Sequence, residues 1–169
     1  MSGTLSQELF KSTFEAYYPS IRNFIYYKTG DMYLAEDLSQ ETFVKLWERR
    51  DDIKTETLKS YLFTIANNLA LNHFKHQKVV LAFQHAQIAQ GPSLGNSPQQ
   101  ELELKEFDKR LQQAINDLPE KLRVAFLMHR VDKMKHRQIA EVLNLSVKGV
   151  QKRVKKALDL LNEKIKYRL

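Results

Sequence analysis

Glycine and proline are concentrated in one short stretch of the chain. Four of the nine glycine and proline residues in the 169-residue sequence lie within eight positions, and these are Gly91, Pro92, Gly95 and Pro98. The surrounding segment 77–100 also contains six glutamines and only one charged side chain. Such a composition interrupts any long helix and is typical of a flexible connector. Packed cores are therefore expected on either side of this segment rather than through it.

This connector predicts two small domains, which cover residues 5–76 and 101–169, with a flexible linker over 77–100. The chain length permits one ordinary domain or two small ones, and 43% hydrophobic residues suffice for packed cores. The alternative is a surface loop inside a single domain, but structureless loops of this length are uncommon in compact domains.

Apolar side chains recur every three or four residues on both sides of the linker, which is the spacing of one helix face. The stripes of the first domain are Phe10, Phe14, Tyr17, Ile21 and Phe24, and then Leu58, Leu62, Ile65 and Leu69. A helix predicted between them has Leu34, Leu38, Phe43, Leu46 and Trp47 as its apolar content. The second domain begins with a stripe of Leu104, Phe107, Leu111 and Ile115. No window shows the sustained alternation of a half-buried strand. The predicted fold class is all-α, with two small helical domains.

The run Asn144-Leu145-Ser146 separates two segments with helical apolar spacing near the C-terminus. Asparagine tolerates the left-handed conformation that ends a short helix, and serine can cap the helix that follows. A helix over 138–143, a three-residue turn and a second helix over 147–165 form a helix-turn-helix signature. The C-terminal domain is therefore predicted to be a helix-turn-helix domain.

The positive charge of the chain lies almost entirely at this motif. The formal net charge is +7, and residues 133–169 hold 11 basic and 3 acidic side chains, a net charge of +8. The second helix of the motif presents long polar donors between apolar anchors, and these donors are Lys148, Gln151, Lys152, Lys155 and Lys156. A helix that binds phosphates and base edges needs this division. DNA binding is the favoured interpretation, and a solvated amphipathic helix end is the alternative.

Other classes of function lack the residues that they need. The chain has no cysteine, which excludes disulfides, thiolate metal sites and a cysteine nucleophile. There is no glycine-rich phosphate loop, and His73 and His76 have the spacing of metal ligands without acidic or cysteine companions. We expect no catalytic residue, no cofactor and no metal. Without a long apolar run or a signal-peptide pattern, we expect a cytoplasmic protein with no stable membrane insertion.

Several runs of the sequence resemble the extracytoplasmic-function group of sigma factors, in the sigma-70 family of bacterial RNA polymerase. These runs are residues 35–47 (AEDLSQETFVKLW), 61–72 (YLFTIANNLALN), 118–123 (LPEKLR) and 139–143 (IAEVL). They follow the order and spacing of the family and cover nearly the whole chain except the linker.

The resemblance implies a dissociable specificity subunit that directs promoter recognition and transcription initiation. In such proteins the first domain, region 2, docks on the clamp helices of the largest polymerase subunit and reads the −10 element. The second domain, region 4, reads the −35 element in duplex DNA and lies near the flap of the other large subunit. The resemblance also implies an anti-sigma factor as partner, and we expect a monomer when the protein is free.

Two faces of the first domain carry the candidate residues. Asp37, Gln40 and Glu41 lie three and four residues apart, so they share one face of a helix and suit docking on a basic polymerase surface. An ordinary solvated face is the alternative for this patch. The third helix carries the candidate −10 residues, which are Tyr61, Thr64, Asn68, Asn72 and Lys75. Asparagine can pair with adenine, lysine can hold phosphate and an aromatic ring can stack on an unpaired base. We place a pocket for that base between the loop 51–57 and the start of this helix.

The sequence departs from the family pattern at a few positions. Tyr61 replaces a common tryptophan, Asn72 a common acidic residue and Lys75 a common arginine. Gly149 stands where a threonine is frequent at the start of the recognition helix, which puts the neighbouring −35 contacts in doubt, and Gln138 replaces a frequent glutamate.

The sequence also permits one rival function. A stand-alone helix-turn-helix regulator that binds operator DNA would explain the charge. It would leave the runs 35–47 and 61–72 without a role.

Overall fold

The computed structural model describes residues 3–73 and 97–166, and these residues form helices with no strand among them. The linker positions 77–96, His76 and the candidate −10 residue Lys75 lie outside the described residues. The helices are α1 (Gln7–Thr29), α2 (Met32–Glu48), a short 3-10 helix (Thr55–Thr57), α3 (Leu58–His73), α4 (Pro98–Asn116), α5 (Glu120–Arg130), α6 (His136–Leu143) and α7 (Val147–Lys166). The predicted all-α class is confirmed.

Helices α1 to α3 form the N-terminal lobe and pack against one another. The turn between α1 and α2 follows from two residues that the sequence marks. Gly30 adopts a left-handed conformation, with φ 71°, that ends α1, and the Asp31 side chain accepts a hydrogen bond from the Leu34 amide, 3.1 Å away, to begin α2. The buried apolar side chains of the lobe include Ile21, Phe24, Leu38, Phe43, Leu46, Leu62 and Phe63.

Helices α4 to α7 form the C-terminal lobe, in which α7 packs on α4, α5 and α6. Helix α4 begins at Pro98, three residues before the predicted domain boundary at 101. The Ser97 side chain caps it, with the Gln100 side chain accepting from the Ser97 amide in return. Proline suits the first position of a helix because the amide that it lacks would have no partner there. Pro98 therefore starts a helix, although its position in the glycine- and proline-rich stretch indicates a connector.

Two apolar stripes are less buried than their spacing predicts. Phe14 of α1 is 38% exposed, and Leu104 and Phe107 of α4 are 39% and 45% exposed, whereas Ile115 at the end of α4 is fully buried. Helical spacing defines a face but does not tell which neighbour covers it. The first half of α4 consequently presents an uncovered apolar side.

The two lobes are in contact. Helix α1 packs on α5, and α3 packs on α6, the first helix of the predicted motif. Arg123 of α5 is buried between the lobes, and its Nε donates a hydrogen bond to the Tyr27 carbonyl oxygen of α1 at 2.9 Å. The described residues contain no helix that is long and apolar enough to cross a bilayer.

Candidate functional site

The turn between α6 and α7 has the geometry that its residues predict. Asn144 adopts a left-handed conformation, with φ 54° and ψ 50°, and the Leu145 amide donates to the Ala140 carbonyl oxygen at 2.9 Å. The Gly149 amide donates to Ser146 Oγ at 3.0 Å, so that Ser146 caps α7. Two helices joined by this tight turn form the predicted helix-turn-helix unit.

Replacement of Ser146 by alanine is expected to lower the free energy of unfolding by about 1 kcal/mol, because it removes the cap of α7. Urea unfolding followed by circular dichroism measures this change. Ser12→Ala, at an exposed position inside α1, is the matched control and should change stability much less. Equal losses in the two variants would contradict a capping role for Ser146.

All five candidate −35 residues are exposed on one side of α7, and they are Lys148, Gln151, Lys152, Lys155 and Lys156. The opposite side is buried in the lobe through Val150, Val154, Ala157 and Leu161. Leu158, which its spacing places with these apolar anchors, is instead 45% exposed. It borders a groove between α4, α5 and α7 that Gln151 and Lys155 also line. The structure thus presents a basic face on a helix whose other side is fixed by packing.

The two departures from the family pattern in this lobe have a structural explanation. Gln138 Oε1 accepts a hydrogen bond from the Lys135 amide at 2.8 Å, so the glutamine caps α6 as a glutamate at that position would. A Cβ added at Gly149 would lie 3.2 Å from Ser146 Oγ. Glycine therefore leaves room for the serine cap at the start of α7.

The candidate −10 residues that the structure describes lie along α3. Thr64, Asn68 and Asn72 are exposed, with Leu62, Ile65 and Leu69 buried on the other side of the helix. The Thr64 hydroxyl donates to the Ser60 carbonyl oxygen at 2.9 Å, whereas both asparagine amides face solvent. The two asparagines are therefore the available base-edge donors and acceptors on this face.

Tyr61 occupies a different environment from the other −10 candidates. Its ring is partly buried against the core of the N-terminal lobe, and its hydroxyl accepts a hydrogen bond from Arg49 Nη1 at 3.2 Å. The preceding loop is fixed by buried Ile53, while Asp51, Asp52 and the 3-10 helix residues are exposed. The hydroxyl that tyrosine adds relative to tryptophan is thus tied to the end of α2.

The third candidate surface lies on α2. Asp37 and Gln40 are exposed, and Glu41 is half-buried with its Oε1 4.0 Å from Lys45 Nζ. Buried Leu38, Ser39 and Thr42 fix the other side of the helix. The structure therefore brings the three predicted polar residues together on an accessible surface.

An apolar groove between α1 and α2 adjoins Gln40, and the helical spacing of the sequence does not predict it. It has a volume of about 630 Å³ and is lined by Gln7, Phe10, Phe14, Gln40, Phe43, Val44, Trp47 and Glu48. Aromatic rings form its floor, with the Phe10 and Trp47 centroids 5.0 Å apart and those of Phe14 and Phe43 4.8 Å apart. The sequence signal for this groove is Val44, an apolar residue that follows Gln40 by one helical turn. In the structure Val44 is 55% exposed.

The described residues do not form a metal centre, since no group of three or more His, Asp or Glu among them is placed to hold an ion. His129 and His136 stack with their ring centroids 4.5 Å apart, and His129 Nδ1 lies 2.9 Å from the Met134 carbonyl oxygen. The three candidate surfaces present charged groups, amides and apolar area.

Comparison with known protein families assigns both lobes. Residues 13–79 match the family model for sigma-70 region 2, and residues 108–161 match that for sigma-70 region 4. The region 2 match includes the runs 35–47 and 61–72, which would have no role in a stand-alone regulator.

Curated relatives align along most of the chain. The ECF RNA polymerase sigma factor SigW of Bacillus subtilis is 24% identical over 95% of this chain and 90% of its own length. SigM of the same organism is 26% identical over 79% of this chain and 80% of its own length. The ferric citrate uptake sigma factor FecI of Escherichia coli is 23% identical over 92% and 90%, respectively.

Solved structures share the fold. CnrH, solved in complex with the cytosolic domain of CnrY, superposes with a TM-score of 0.62 at 20% identity, over 94% of this chain and 88% of that one. RpoE of Bartonella quintana, solved with the anti-sigma factor NepR, gives a TM-score of 0.60 at 22% identity, over 93% and 96%. With regions 2 and 4 in order and relatives of this group along the chain, the protein belongs to the sigma-70 family as an extracytoplasmic-function RNA polymerase sigma factor.

Proposed function

We propose that this sigma factor divides its work between the lobes, so that the N-terminal lobe binds core polymerase and the −10 element and the C-terminal lobe binds the −35 element. The observation that carries this division is the basic face of α7, which is exposed on a capped helix-turn-helix unit while its apolar side is buried. The protein acts by binding and not as a catalyst, in the cytoplasm where the polymerase works.

Reconstitution tests the proposal directly. Core RNA polymerase is mixed with this protein and genomic DNA, and the 5′ ends of the transcripts are sequenced. Shared sequence elements about 10 and 35 base pairs upstream of the start points are expected, in accordance with reading by two lobes. Transcripts without a shared upstream element, or no binding to core polymerase, would contradict the proposal.

Core binding is assigned to the surface of α2. Asp37 and Gln40 supply exposed directional acceptors, and Glu41 adds a carboxylate beside them. The adjoining groove with Phe14 and Val44 supplies apolar area, which a surface of isolated polar groups would lack. A basic helical partner such as the polymerase clamp fits this combination of acidic rim and apolar floor.

The double variant Asp37→Ala, Gln40→Ala is expected to weaken binding to core polymerase about 30-fold, since two hydrogen bonds contribute about 1 kcal/mol each. Fluorescence anisotropy of the labelled full-length protein measures this affinity. Glu103→Ala removes an exposed carboxylate from α4, away from this surface, and serves as the matched control.

The same double variant should bind a −35 duplex as the unmodified protein does, because α7 is unchanged. A parallel loss of duplex binding would indicate misfolding. An unchanged affinity for core polymerase in the double variant would refute the assignment of this surface.

Promoter melting is assigned to α3. Asn68 and Asn72 contact base edges, Thr64 and Lys75 contact the backbone, and Tyr61 offers a ring beside the loop 51–57. The exposure of both asparagines on one side of the helix supports this assignment.

An anti-sigma factor is the proposed regulatory partner, and the free protein is proposed to be a monomer. RpoE of Bartonella quintana, which shares the fold, was solved bound to such a partner. The exposed apolar side chains of α1, α2 and α4 offer area that a partner would cover.

A further inference from the structure

The groove between α4, α5 and α7 is elongated. Its volume is about 650 Å³, which lies within the range of small-molecule sites in proteins. Its lining residues on α7 share one face of the helix, and they are Gln151, Val154, Lys155, Leu158, Leu161, Asn162 and Ile165. The helix rises by about 21 Å from Gln151 to Ile165, at about 1.5 Å per residue. The groove therefore has room for an extended chain.

One end of the groove carries positive charge. Asp117, just before α5, pairs with Lys164 near the end of α7, with 3.1 Å between Oδ2 and Nζ, so the start of α5 lies beside the end of α7. Because α5 packs along α7, its last residue, Arg130, lies toward Lys155, and both side chains line the groove. Asp108 is the only carboxylate among the described lining residues. Two cations against one carboxylate favour an anionic ligand at this end.

A histidine beside these cations has an unused hydrogen-bonding atom. His136 lines the groove, and its Nε2 is buried with no hydrogen-bond partner among the described residues. Its ring stacks on that of His129, whose Nδ1 lies 2.9 Å from the Met134 carbonyl oxygen. A buried polar atom without a partner costs free energy, and a ligand oxygen that accepts from Nε2 would recover it. The chemistry of this end therefore suits a carboxylate.

Apolar side chains line the rest of the groove. Leu158, Leu161 and Ile165 come from the second half of α7, and Leu111 of α4 and Phe126 of α5 line the same groove. Leu158 is 45% exposed, although its helical spacing places it with the buried anchors of α7. Burial of each methylene group against such a wall is favourable. The groove thus combines an anion-binding end with a wall that favours a hydrocarbon chain.

We propose that this groove binds an amphipathic carboxylate, an extended acyl chain whose head group lies at Arg130, His136 and Lys155 and whose chain follows α7 past Leu158. Lys155 also belongs to the basic face of α7, so a bound carboxylate competes with a DNA phosphate for it. The ligand therefore lowers affinity for the −35 duplex. This consequence rests on the proposed function of the C-terminal lobe, whereas binding of the ligand does not.

Calorimetry with decanoate tests the site on the free full-length protein. We expect saturable binding of a single decanoate per chain below its micelle concentration, with the circular dichroism of the helices unchanged. 1-Decanol lacks the charge and acetate lacks the chain, so each should bind about tenfold more weakly or worse. Uptake of several decanoate molecules per chain, or an equal affinity for 1-decanol, would overturn the proposal. Absence of decanoate binding would also overturn it and leave a protein helix as the occupant.

Two pairs of variants test the two ends of the groove. Arg130→Ala removes a charged donor and should weaken decanoate binding about tenfold, whereas Arg137→Ala, at an exposed position of α6 outside the groove, should not. Leu158→Glu places a carboxylate beside the chain and should weaken binding at least as much. Its control is Leu102→Glu on α4, where Leu102 is 60% exposed and does not line the groove. Equal affinities of a variant and its control would refute the assignment of that end.

Nuclear magnetic resonance of the histidine rings locates the head group. On addition of decanoate to the nitrogen-15-labelled protein, the ring nitrogen signals of His136 and its neighbour His129 should shift, and His136→Gln identifies the His136 signals. His73 is exposed on α3 and serves as the internal control. Shifts of equal size at His73 and His136, or none at His136, would contradict a carboxylate bound at this end.

Competition with DNA tests the consequence for function. Saturation with decanoate should weaken binding of the full-length protein to a −35 duplex about tenfold, and the Leu158→Glu variant should be insensitive to decanoate. An unchanged duplex affinity at saturation would overturn the coupling between the groove and the basic face of α7. If the protein without decanoate fails to bind the duplex, the proposed function fails, while calorimetry still decides whether the groove binds a carboxylate.

Discussion

Replacement of Lys152, Lys155 and Lys156 by alanine is expected to weaken binding of the full-length protein to a −35 duplex about 100-fold at roughly 0.15 M salt. All three side chains are exposed on the basic face of α7, so each can neutralise one phosphate and release its counterion. The slope of log K against log salt should become shallower by about 2.7, since each phosphate contact contributes about 0.9. Titrations by fluorescence anisotropy at several salt concentrations measure both quantities.

The control for this prediction lies on the same helix. Lys164 and Lys166 occupy the last turn of α7, and Lys164 Nζ pairs with Asp117 Oδ2 at 3.1 Å instead of extending the basic face. Their replacement by alanine lowers the net charge but should reduce duplex affinity much less per lysine. An equal loss per lysine in the two variants would show that net charge, and not the face of α7, determines binding.

The Arg123→Ala variant is expected to lose about 1.5–3 kcal/mol of stability. Arg123 is buried, and its guanidinium donates to three carbonyl oxygens, with Nε on Tyr27 and Nη1 on Leu118 at 3.1 Å and Asn116 at 3.4 Å. Alanine would leave a cavity and remove the donors of buried carbonyl groups. Burial also lowers the pKa of Arg123, an effect that the nearby Glu120 carboxylate opposes.

Urea unfolding followed by circular dichroism measures the loss. Arg123→Lys retains a positive charge but supplies one ammonium in place of a planar fork, so an intermediate loss is expected. The exposed Arg130→Ala, near the other end of α5, should change stability little. A loss below about 1 kcal/mol for Arg123→Ala would contradict the structural role of the guanidinium.

Local features of the fold could be predicted because short-range rules determine them. The cap at Asp31, the left-handed Asn144 and the serine cap of α7 follow from residues within a few positions. The exposure of the five donors on α7 follows from helical spacing and a buried opposite side. The family resemblance of four short runs supplied the functional assignment, which the matches to regions 2 and 4 confirm.

Features that depend on which elements meet could not be predicted in this way. The stripes containing Phe14 and Phe107 predict packed faces, yet both side chains are more than one-third exposed because the described helices cover them only in part. The polar contacts between the lobes join residues about a hundred positions apart, and neither spacing nor composition connects Tyr27 with Asp132. The binding roles of the exposed residues on the three candidate surfaces stay predictions.

The groove between α1 and α2 gives the protein an intrinsic optical reporter. Trp47 is the only tryptophan in the sequence, and its indole lines this groove, where the Arg50 guanidinium lies 4.7 Å from the ring centroid. Emission excited in the tryptophan band therefore originates at a single surface, next to Gln40 and Val44. Occupation of that surface would change the polarity around one known fluorophore, so assembly with a partner there can be followed in real time on the unlabelled chain.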